Sequence, residues 1–364
     1  MSAHKPDPQI TLFHYPFSPW SQKVTLYLAL RKIPYVSCVQ PVTLPRPDLK
    51  KGLGVNYRRI PIMSIGRDIY CDTLLMFEKL EALYPVGPNE TKRHGTTGIE
   101  RALEKLLEKW TDVVVFKYAA AAIPTSLDAV RDKTFINDRT ELWGRDWAVD
   151  HQDSLRPEGL AVLRSNVQFL ETTVLEDGRE WVLGGKDMTL ADIHAAWIFV
   201  WLAEMDGALP DSLFGRKEYS KVWAWWDRYT KARGEALEAM EKEGLKTEEE
   251  GKVAISRILK GDFGEKEGEV DERDPMGLQK GEEVRGYPTD TGSNHKDTGR
   301  LVALTSQEAV LSSKGEGGQE IRVHHPRWQF LVEPVRGGDV NPINGHGEES
   351  RHLVSEGEYV GSRD

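Results

Sequence analysis

Cysteine is scarce: Cys38 and Cys71 are the only two in 364 residues. They stand far apart and outside any Cys-x-x-Cys or zinc-ligand spacing, so a disulfide framework is not expected. Missing too is any apolar run of about 18 residues able to cross a bilayer. The opening Met1-Ser2-Ala3-His4-Lys5 lacks the apolar core of a secretion signal. Basic residues are in deficit, 48 Lys and Arg against 58 Asp and Glu for a net charge of −10, which argues against a phosphate-neutralising nucleic-acid surface. No GxGxxG, GxxxxGKS, GxxxxGKT, HExxH or GxSxG motif occurs. These deficits predict a soluble cytoplasmic protein that binds neither membrane nor nucleic acid.

What is present is ample core material: 39% hydrophobic residues with 11 Trp and 11 Tyr. The length calls for two or three cores. Residues 8–87 alternate short strands and helices: apolar strands near Ile10–Phe13 and Tyr35–Val39, a helix near Ser21–Arg31, and a hairpin turning at Gly66-Arg67-Asp68. Residues 95–240 carry helical spacing, as in Leu103, Leu106, Leu107 and Trp110, and a capping-box variant in Thr189–Asp192. Over 241–335 a charged stretch gives way to short strands near 283–285, 301–304, 309–311, 321–323 and 328–332, a small β-rich appendage. The Gly-, Glu- and Ser-rich residues 336–364 predict a disordered tail.

The densest chemical signal is Ser18-Pro19-Trp20-Ser21, where the first strand hands over to a helix. A helix start offers unpaired N–H groups and a positive dipole end to an anion such as a thiolate. Ser before Pro is equally an ordinary helix cap, and these residues leave both readings open. Arg59-Ile60-Pro61 opens the apolar stretch to Ile65, and Asp72-Thr73 heads the helical run Leu74 to Leu83.

Together these three features resemble the glutathione-binding half of the glutathione S-transferase family. The resemblance implies an α/β thioredoxin-like domain followed by an all-α domain, and it stops near residue 240, silent on the appendage. It implies glutathione as cosubstrate, a small hydrophobic electrophile as partner, and a homodimer. Ser18 would donate a hydrogen bond to the glutathione sulfur, with Tyr15 and then Ser21 as competing hydroxyls. Pro61 resembles the family's cis-proline, which makes Ile60 a backbone ligand of the cysteinyl unit. Asp72 and Thr73 would hold the γ-glutamyl end, and Arg59 or Lys51 the glycyl carboxylate. The electrophile would sit against Trp110, Asp112, Phe116 and Tyr118. Such an enzyme conjugates, adds to or isomerises its substrate; glutaredoxin-like exchange is disfavoured because it needs a protein thiolate. The alternative is a noncatalytic binding or assembly module on the same scaffold.

In the appendage, His324-His325-Pro326-Arg327 with His295 and Asp297 invites a metal reading. Adjacent strand residues face opposite ways and the spacing is poor for zinc, so no metal is expected there.

Overall fold

Period-two alternation decides the first four strands. In the computed structural model, which describes residues 9–87 and 91–336, β1 (Ile10–His14), α1 (Pro19–Leu30), β2 (Tyr35–Val39), β3 (Ile62–Ile65), β4 (Asp68–Cys71) and α2 (Thr73–Leu83) follow one another. β1 runs parallel to β2 and antiparallel to β3, and β3 pairs antiparallel with β4. Successive side chains point to opposite faces. Ile10, Leu12, Met63, Ile65 and Tyr70 therefore pack with α1 and α2, while Phe13, Ile62, Ile69 and Cys71 enter a second core on the other face. Contacts divide the chain into Met1–Pro334 and Val335–Asp364; all that follows lies in the first unit. The tail expected at 336–364 lies, from 337 on, outside the described residues.

The helical region comprises α3 (Gly98–Lys109), a π-helical turn at Trp110–Val115, α4 (Phe116–Ala122), α5 (Asp128–Arg131), α6 (Lys133–Trp143), α7 (Val149–Phe169), α8 (Leu190–Ala203), α9 (Asp211–Phe214) and α10 (Ser220–Lys242). α8 is apolar on every side and buried along nearly its whole length, as a central helix must be. Its capping box forms: the Asp192 carboxylate accepts from Thr189 N and Thr189 Oγ1, both at 3.0 Å, from Val182 N at 2.8 Å and from Trp225 Nε1 at 3.0 Å. A buried carboxylate is tolerable only when so fully satisfied.

The extension departs from expectation. It contributes β5 (Lys246–Glu248), α11 (Gly251–Lys260), β6 (Glu283–Pro288), β7 (Asp297–Leu304), β8 (Glu308–Lys314), β9 (Glu320–Pro326) and β10 (Phe330–Pro334). The anticipated strands exist, but they join the first four in one ten-stranded sheet, ordered β10-β6-β7-β8-β9-β4-β3-β1-β2-β5. β9 adds in parallel to the β4 edge and β5 in parallel to the β2 edge, so neither edge of the first four strands is left open. Helix α11 was hidden within charged sequence. Its apolar residues Ala254, Ile255 and Ile258 are buried in the second core, beside Leu49 and Leu53, and a Cβ on Gly52 would lie 2.3 Å from Ile255 Cδ1. Among the described residues, no helix is long and apolar enough to cross a membrane.

Candidate functional site

Ser18 is the N-cap of α1, and its Oγ accepts from Ser21 N at 3.3 Å. The cap expected from Ser-Pro is therefore present. Accepting that bond uses a lone pair and leaves the hydroxyl proton available to donate. Ser18 lines a cavity of about 580 Å³ together with Tyr15, Ile60, Pro61, Asp72 and Thr73. The three separate sequence signals thus converge on one space. The Ile60–Pro61 peptide is cis, as the resemblance implied. Ser21 does not line the cavity; its hydroxyl is buried without a hydrogen-bond partner among the described residues.

Across from Ser18, Asp72 caps α2 by accepting from Leu74 N at 3.1 Å. Its φ of 72° lies in a region that side-chain-bearing residues rarely occupy, and such backbone persists where the surroundings over-determine it, often at binding sites. Thr73 is buried, and its Oγ1 has no hydrogen-bond partner among the described residues. A buried unpaired hydroxyl lining a cavity is a group waiting for a ligand atom. Arg59 lies 3.7 Å from the Asp72 carboxylate. Its guanidinium is committed elsewhere: Nε donates to Thr291 O at 2.9 Å, and another nitrogen bonds the Asp290 carboxylate. Lys51 sits exposed on the Asp48–Leu53 turn, away from the cavity lining.

The rest of the wall is aromatic. Phe116 lines it, stacked at 5.9 Å from Trp143 and tilted against Trp20 at 4.0 Å. Trp110 and Tyr118, expected beside Phe116, are absent from the lining. Two residues along a helix turn about 200°, so Tyr118 faces away from Phe116, and a Cβ on Gly159 of α7 would come within 2.9 Å of the Tyr118 carbonyl oxygen. Trp110 points into the helical core, donating to Asn166 Oδ1 at 3.1 Å and meeting Phe169 edge-on. Sequence reasoning missed Trp20, Trp143, Trp147 and Trp201, whose convergence depends on helix packing. It also missed Asp290, Thr291 and Gln329, which the extension inserts into the lining.

Asp112, expected beside Phe116, does line the cavity; behind it, Lys23 is completely buried and donates to both Asp112 oxygens, at 2.9 and 3.1 Å. Burial raises the Asp112 carboxyl above its ordinary value and pushes Glu108 up to about 8, Lys23 opposing in both cases. His194, 3.8 Å from Glu108, is held neutral by burial and by the Lys23 charge. This cluster ties α1 to the helical region beneath the cavity.

Comparison with known proteins places these features. Residues 12–91 match the model of the glutathione S-transferase N-terminal domain, and residues 118–238 match a family described only as a domain of unknown function, DUF7962. No curated protein matches the sequence. Among solved structures, a GST-like protein from Pseudomonas syringae superposes with a TM-score of 0.62 at 23% identity, covering 90% of this chain and 100% of that one. A beta-etherase from Sphingobium sp. strain SYK-6 gives 0.48 at 15% identity, over 64% of this chain and 99% of its own. A glutathione S-transferase from Methylobacillus flagellatus KT with GSH bound gives 0.42 at 17%, over 63% and 98%.

Proposed function

We propose that this chain, whose residues 12–91 match the glutathione S-transferase N-terminal domain and whose fold is that of a GST-like protein, activates the thiol of glutathione for attack on a small hydrophobic electrophile. The observation that carries this reading is the convergence of a helix-capping Ser18 hydroxyl, the cis-Pro61 turn and the unpartnered Thr73 hydroxyl on one aromatic-walled cavity.

The chemistry asked of the site is modest. A free cysteine thiol has a pKa of about 8.5, and a hydroxyl donor together with the positive dipole end of α1 facing the sulfur favours the thiolate. Ser18 stays neutral throughout. The Ile60 backbone aligns the cysteinyl unit, while the Asp72 carboxylate and the Thr73 hydroxyl hold the ammonium and carboxylate of the γ-glutamyl end. The thiol proton goes to solvent. The sulfur electron pair then forms a carbon–sulfur bond, and either a leaving group departs with its own pair or an activated double bond takes a proton from water.

Calorimetry with reduced glutathione tests binding, and the ultraviolet absorbance of the bound thiolate against pH tests activation. Ser18→Ala is expected to raise that thiol's pKa where Tyr15→Phe leaves it unchanged. No heat of binding overturns the proposal. Retention on glutathione resin without turnover of general electrophiles would instead favour the noncatalytic binding module. The homodimer belongs to the same proposal, and sedimentation giving only a monomer removes it.

A further inference from the structure

Three buried donors from distant parts of the chain meet where the extension joins the first domain. Cys71 ends β4, Asp297 begins β7 and His325 lies on β9, and their sulfur, oxygen and nitrogen donor atoms all lie within 4.8 Å of one another. All three residues are buried, His325 and Cys71 completely. We propose that Cys71, Asp297 and His325 form a site for zinc or a closely similar divalent cation, clamping the extension to the thiol-binding domain.

The hydrogen bonding points to a missing partner. Asp297 Oδ1 accepts from Asn56 N at 2.5 Å and Tyr57 N at 3.2 Å, which fixes the carboxylate. Its other oxygen, Oδ2, lies 3.2 Å from His325 Nε2. Yet neither Oδ2 nor either ring nitrogen of His325 makes a properly directed hydrogen bond among the described residues. Buried polar atoms left this way are costly. The spacing suits a shared cation, since an oxygen and a nitrogen each about 2.0–2.1 Å from a tetrahedral zinc stand ~3.3 Å apart.

Donor type and charge agree. A thiolate with an imidazole and a carboxylate selects zinc over magnesium or calcium. A thiolate and a carboxylate together balance a divalent charge, so the occupied site would be electrically neutral in the core. Burial and the neighbouring Asp297 and Asp72 carboxylates drive the Cys71 thiol well above its usual range. Binding would therefore release one proton as the thiol becomes a metal-bound thiolate.

The surroundings are built for the imidazole. A Cβ on Gly286 of β6 would come within 2.6 Å of His325 Cδ2, and the Tyr57 and Phe330 rings flank the histidine at 6.4 and 5.5 Å. Strand alternation sends His324 the opposite way, to Asp68 at 2.9 Å and Glu308 at 2.5 Å. Strand alternation thus keeps the adjacent histidines from sharing a metal, while the parallel β4–β9 pairing brings Cys71 to His325.

This inference stands apart from glutathione binding and has its own test. Chelator-stripped full-length protein is titrated with cobalt(II) as an optical probe, expecting one equivalent bound, a thiolate-to-cobalt charge-transfer band, and loss of that band on adding zinc. Cys38→Ala should keep the band, and Cys71→Ser should lose it. His325→Gln should weaken cobalt binding by at least about tenfold. Should a buried-site variant fail to fold, alkylation of the wild-type chain during slow unfolding, read peptide by peptide, still decides: zinc should protect Cys71 and not Cys38. A folded wild-type protein without the charge-transfer band, a band that survives Cys71→Ser, or zinc protection confined to Cys38 would each overturn the site.

Discussion

The two faces of the β1–β4 sheet are closed by different stretches of the chain. One face packs on α1 and α2, which lie beside it in sequence, and on the helical region, with Ile10, Leu12, Met63 and Tyr70 pointing in. The other face, carrying Phe13, Ile62, Ile69 and Cys71, is covered by Ala254, Ile255 and Ile258 of α11 and by Ile321, Val323 and Phe330. Ser18 and Asp72-Thr73 head the two helices of the first face, whereas Ile60 and Tyr15 pack with the second core. The second face teaches that the extension completes the first domain's own core, joining Leu49, Leu53, Val55 and Tyr57 over those strand residues.

The sharpest way to break that comparison is to remove residues 241–364. Truncation should expose the second face and both sheet edges, and the product is expected to aggregate or to lose its cooperative unfolding transition. A soluble truncated chain with an unchanged melting midpoint would mean the two faces are not equally needed. Next, Ile255→Ala, which empties the core beneath α11, should cost about 2–5 kcal/mol in urea unfolding, with a smaller proportional effect on glutathione affinity. On the first face the expected change is chemical: Ser18→Ala should lower kcat/KM by about 10²-fold while leaving the unfolding free energy in urea within about 2 kcal/mol of wild type, the upper end for losing a helix cap.

A smaller effect is expected at the seam between β4 and β9. His324 is fully buried between Asp68 and Glu308, and its bonds to those carboxylates raise its pKa above the ordinary value despite the opposing effect of burial. Folding then takes up a proton. The stabilisation is fully present below the unfolded-state pKa of about 6.5 and is lost as pH rises through the higher folded-state value. Wild type minus His324→Gln, followed by urea unfolding against pH, should show a difference that shrinks toward alkaline pH. A pH-independent difference would assign His324 to packing alone.

The smallest effect concerns how the extension touches the cavity. Asp290 pairs with Arg59, and their side chains are 41% and 18% exposed. An ion pair this exposed contributes about 1 kcal/mol or less. Asp290→Ala should free Arg59 for the glycyl carboxylate and tighten glutathione binding by a factor of a few. Weaker binding would show instead that Asp290 orients Arg59 for the ligand.

The sequence made legible whatever depends on local order. Strand alternation, the Ser18 cap, the Asp72-Thr73 helix start, the Gly66 hairpin and the Thr189–Asp192 box are each written within a few consecutive residues, where backbone sterics and short-range hydrogen bonds decide the outcome. Phe116 was legible as a cavity residue, but Trp110 and Tyr118 were not separable from it, because the side a helical residue faces depends on the helix's rotation against its neighbours. Helix α11 was obscured because its apolar stripe is only a few residues wide and flanked by charge.

Tertiary structure alone decided where the last third of the chain would go. Which strand β9 pairs with, whether Arg59 meets Asp290, and whether Cys71 comes to rest beside His325 are contacts between residues hundreds of positions apart. Their formation depends on complementary edges and faces that exist only after both partners have folded. Local chemistry therefore determined the parts of the candidate site, and long-range sheet pairing determined what encloses it.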